Sequence, residues 1–145
     1  MQRADLAARL IAAGEREREA LIRDSTTLAD VELAYVLKDI CLDGWSSHPD
    51  RALAAAATLQ ILSQLNPLPE IDALRSWTSG IEALIHGQME RAIAELEDSH
   101  TRFLKLDKPE IATAPQISKL IALAMLGRYD EAVQCGFRPA APSPL

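Results

Sequence analysis

Gly80-Ile81-Glu82-Ala83-Leu84-Ile85-His86-Gly87-Gln88-Met89-Glu90-Arg91-Ala92-Ile93 is the stretch that decides the fold. It reads as the end of one helix, a break at a single glycine, and the start of a second helix folding back on the first. The break returns as Leu123-Ala124-Met125-Leu126-Gly127-Arg128-Tyr129-Asp130-Glu131-Ala132-Val133. Gly87 and Gly127 stand 40 residues apart, as do Ala92 and Ala132, and Ala52, followed by Leu53, stands another 40 earlier. Pro69 and Pro109, each opening a hairpin, keep the same interval. A unit recurring at fixed spacing implies stacked helical hairpins, none of which buries its apolar face alone. That architecture suits holding another protein or peptide.

Outward from this stretch, residues 3 to 23 are expected to form one N-terminal helix with Leu6, Leu10, Ala13, Glu17 and Leu21 near one stripe. Its block Glu15-Arg16-Glu17-Arg18-Glu19 alternates in sign and reads as a solvated face. Thr27 followed by Asp30 forms the N-cap pair expected of the next helix, Leu28 to about Leu42, which Gly44 and Ser46-Ser47 end. His48-Pro49-Asp50 opens an alanine-rich helix to about Leu65, and Asn66-Pro67-Leu68-Pro69 stops it. Helices at 69 to 86 and 88 to 106 make the second hairpin. In the third, Pro115 should kink the first helix, or regular structure begins near Thr113 and Ala114. A short helix from Tyr129 to about Gln134 ends the pattern, and the proline-rich residues 137–145 form a disordered tail.

The expectation is therefore all-α: a right-handed α-solenoid of about three hairpins (28–66, 69–107 and 109–136) behind a capping helix in residues 1–24, all within one domain, 1–136. Seven helices result, with the last hairpin truncated. Its second helix is too short to cover its first, so the end near Met125, Leu126, Tyr129 and Val133, with Leu123 and Phe137, should be partly open. Either a longer protein continues there, or a partner or second copy covers it.

Composition agrees with close helix packing. Of the 145 residues 48% are hydrophobic but only 4% aromatic, so the core must be alanine and leucine. No stretch alternates with period two in β-branched residues, and no sheet is expected. A net charge of −6 argues against nucleic acid as a main partner, because phosphate binding needs a basic face. Cys41 and Cys135 lack CxxC spacing and read as buried free thiols in a reducing cytoplasm. Charged residues near the N-terminus argue against a signal peptide, and no apolar run is long enough for a membrane span.

Chemistry is hard to find. His48, His86 and His100 make no HExxH and share no metal-ligand spacing with cysteines or acids. Asp98-Ser99-His100 carries the residue types of a hydrolytic triad, but consecutive helical residues diverge by about 100° and cannot meet at one atom. There is no glycine-rich phosphate loop. The chain is expected to be non-enzymatic, without metal or cofactor.

Leu120-x-x-Leu123-x-x-Leu126-Gly127-x-Tyr129-x-Glu131-Ala132 resembles the heart of a tetratricopeptide repeat. Gly80, Leu84, Gly87 and Ala92 fit the same template, and Asp50-Arg51-Ala52-Leu53 fits it at the first repeat. The period departs from the family's, being 40 rather than about 34 residues. Trp77 stands three residues before Gly80, where the family's tryptophan usually stands four before, and Ser47 replaces the first turn glycine. Leu37-Lys38-Asp39-Ile40-Cys41 ahead of Trp45 looks like the longer repeats found beside CHAT peptidase domains, though no peptidase is present here.

The resemblance implies a concave groove lined by first helices. A 40-residue slide then makes Leu37, Trp77 and Ile117 equivalent, likewise Cys41, Ile81 and Ile121, with Lys38, Thr78 and Ser118 beside them. These positions are apolar, so the family's carboxylate clamp does not carry over. What remains is an apolar groove, open to a helix or peptide or filled by the chain's own first helix. Three roles follow: a protein-interaction module with a protein or peptide partner, the sensor or adaptor part of a larger enzyme such as a CHAT-type peptidase, or a unit that self-associates through its C-terminal end.

Overall fold

The computed structural model describes residues 2–125. Among them are seven α-helices and no strand: α1 (Arg3–Ala12), α2 (Glu15–Asp24), α3 (Val31–Gly44), α4 (Pro49–Leu65), α5 (Pro69–Ile85), α6 (Met89–Lys105) and α7 (Pro109–Met125). Tyr129 to Gln134, Ala132, Cys135, Phe137 and the 137–145 tail lie outside the described residues. No described helix is long and apolar enough to cross a membrane.

The last four helices keep time. They begin at residues 49, 69, 89 and 109, and three-residue joints separate them. Proline stands first in α4, α5 and α7, where its missing N–H is no loss. The joint after α5 is a paired C-cap: Gly87 N–H donates to the Leu84 carbonyl at 3.1 Å and Gln88 N–H to the Ala83 carbonyl at 2.8 Å. Gly87 takes φ +73°, the left-handed region where a Cβ is strained. The joint after α6 repeats the motif with Asp107 at φ 58° in glycine's place, its N–H donating to Leu104 and that of Lys108 to Phe103.

Each helix from α3 to α7 packs on the next in sequence, and α3 with α5 and α5 with α7 are neighbours too. No Cα–Cα approach within 8 Å joins α4 to α6. α1 lies against α3 and α4, and α2 against α4. Ala52 and Ala92, the recurrent alanines, are both fully buried. Ala92 lies by Gly80 of the preceding helix, and Ala52 in the same way by Gly44.

The N-terminal segment differs from the single helix expected. Ala13 and Gly14 are extended, with ψ of 159° and 169°, and they split it into α1 and α2. Arg18 explains how the break is held: its Nε donates to the Leu10 carbonyl at 2.9 Å and its Nη2 to that of Ile11 at 3.4 Å, capping α1 from α2. Leu6 and Leu10 sink fully into the core, while α2 buries only Ile22.

α3 also starts later than expected, at Val31, with Asp30 rather than Thr27 as its cap. The Asp30 Oδ1 accepts from Leu33 N–H at 3.1 Å and from Arg3 Nε at 2.8 Å, so one carboxylate caps α3 and anchors α1. The Arg3 hydrogen bond holds the Asp30 carboxyl below its ordinary pKa, and the Leu33 N–H helps. Pro115 does not delay α7, which runs from Pro109 with Pro115 buried inside it. Leu123, expected to be partly open, is fully buried.

Candidate functional site

The residues expected to line a groove divide sharply by burial. Leu37, Cys41 and Thr78 are fully buried, Ile81 is 1% exposed and Trp77 4%, so these five are core and offer no open face. Ile117 and Ile121, in contrast, are 57% and 38% exposed. The positions expected to line one groove are thus a filled interior at α3 and α5 and an exposed edge at Ile117 and Ile121 on α7.

Trp77 shows what fills it. The ring of Phe103 on α6 stands edge-on to it at 6.3 Å between centroids and 87° between planes. From α7, Ser118 Oγ accepts its indole N–H at 3.4 Å. From α3, the half-buried Lys38 sets its ammonium 5.1 Å from the Trp77 ring and 5.5 Å from that of Tyr35, with Asp39 Oδ1 2.6 Å away. The structure thus does bring Lys38, Trp77 and Ser118 together, but as a bond between helices.

A second tie joins α3 to α5 and to the joint that leads into α7. Tyr35 on α3 donates its hydroxyl to the Glu70 carboxylate on α5, and Lys108, just before α7, holds Glu70 from 3.6 Å. Burial, and then the Glu70 carboxylate, push the Tyr35 phenol well above its ordinary pKa. Sequence reasoning missed this tie. Glu70 was visible as an acid in a helix's first turn, but position 75, one period after Tyr35, is an arginine, and periodicity alone could not single it out.

Candidate chemistry disperses. Asp98 accepts from Ser76 Oγ at 2.6 Å and Arg102 Nε at 2.7 Å. Ser99 Oγ donates to the Ala73 carbonyl at 2.8 Å, and His100 Nδ1 to that of Ala112 at 2.7 Å. Three neighbours in sequence thus serve three separate contacts. Thr78 Oγ1 returns to the carbonyls of Leu74 and Arg75 in its own helix. Burial, with Glu82 adding a smaller effect, pushes the free Cys41 thiol up to about 12, far from a nucleophile's range. Among the described residues no three His, Cys, Asp or Glu side chains gather as metal ligands.

What stays open is the outer face of α7. Ile117, Ile121 and Met125 follow at four-residue steps, 57%, 38% and 54% exposed, and with Leu120 and Ala124 they line an almost wholly apolar concavity. Ile117 is the 40-residue counterpart of Trp77, and Ile121 of Ile81. The earlier pair is covered because the α6–α7 hairpin follows it; among the described residues no helix follows α7.

No family model, no curated protein and no solved structure matches the chain.

Proposed function

We propose that the chain is a non-catalytic protein-interaction module, a tetratricopeptide-like stack of helical hairpins that holds an amphipathic helix against the exposed face of α7. The observation that carries this reading is the contrast between Trp77 and Ile81, covered by helices, and Ile117 and Ile121, uncovered at the same positions one period later. A face whose counterpart is sealed by a helix fits another helix, with apolar anchors at i, i+4 and i+8. Equal helices at 20-residue intervals support the stack. A cytoplasmic setting suits the buried free thiol of Cys41.

Ile121→Asp tests the reading. The variant should keep the helical circular-dichroism signal and unfolding midpoint of the parent, yet lose the proteins the parent captures from its native cell. Capture of the same proteins by the variant would defeat the proposal. A large fall in the variant's own unfolding free energy, measured on a monomer, would defeat it differently, by assigning the stripe to the chain's own core.

The same stripe favours a second reading, self-association through the α7 end, since an uncharged apolar row can pair with its own copy. Sedimentation of the parent at micromolar concentration would then give a dimer, and Ile121→Asp a monomer. Monomer throughout would remove it.

A further inference from the structure

We draw no further inference here: the strongest candidate, the Lys38 ammonium wedged between the Tyr35 and Trp77 rings on the α3–α5 face, has its charge met within the chain by Asp39 and both rings, and nothing in the structure points to a ligand there.

Discussion

A Cβ on Gly80 would stand 2.7 Å from Cγ of Leu96 and 2.8 Å from its Cδ2, inside any normal contact distance. Glycine in mid-helix costs about 1 kcal/mol relative to alanine, so Gly80→Ala would stabilise an isolated helix. Here overpacking, about 1–3 kcal/mol, outweighs that gain, because Leu96 is fully buried and must move at its branch point. Urea unfolding should show a net loss of about 1 kcal/mol. Combining Gly80→Ala with Leu96→Ala should cost less than the sum of the two single changes.

Gly87 makes the opposite case. Nothing lies within 4 Å of its missing Cβ, so Gly87→Ala carries only the left-handed backbone cost, about 1 kcal/mol. Asp107 already bears a side chain in that region. Asp107→Gly should therefore raise stability by a few tenths to about 1 kcal/mol, and a fall in the urea midpoint would refute the assignment of the joint.

Asp30 makes stability depend on acid. Its pKa is lower folded than unfolded, chiefly through the Arg3 hydrogen bond. The contribution is therefore present above the ordinary carboxylate pKa, about 3.9, and is lost as pH falls through the folded value. Asparagine caps helices about as well as aspartate, so Asp30→Asn isolates the charge. The variant should be less stable at neutral pH, and its curve should converge with the parent's below about pH 4. Parallel curves across that range would contradict the tie between α1 and α3.

Trp77→Ala should act on the fold. With Phe103, Ser118 and Lys38 packed on the ring, truncation is expected to cost about 3–5 kcal/mol. A variant as stable as the parent would show that Trp77 is a surface anchor after all.

Cys41 offers a probe of opening. In a Cys135→Ser background, folded protein at pH 8 should resist thiol reagents, and labelling should speed up with urea in step with unfolding. Rapid labelling in buffer would mean that α3 opens locally.

The helical hairpins were legible because turn chemistry is local. Gly87 and the prolines at 49, 69 and 109 mark joints whatever surrounds them. The split at Ala13–Gly14 was not, since it depends on Arg18 reaching back to α1 carbonyls eight and seven residues away. Nor was the burial of Leu37, Trp77 and Ile81, although that of Cys41 was. Forty-residue periodicity says that Trp77 and Ile117 occupy equivalent positions; it is silent on whether a later helix seals one and leaves the other bare. Exposure is a property of neighbours, and neighbours are what a single period cannot count.

The missing approach between α4 and α6 has a mechanical consequence. On the opposite side, Tyr35–Glu70–Lys108 and Lys38–Trp77–Ser118 lash α3 and α5 to α7 and the joint that leads into it along two lines. That row should therefore resist spreading, while α4 and α6, with no Cα–Cα approach within 8 Å, are each joined to α5 rather than to one another. Like a book bound along its spine, such a body should open more readily between α4 and α6 than along the row of α3, α5 and α7.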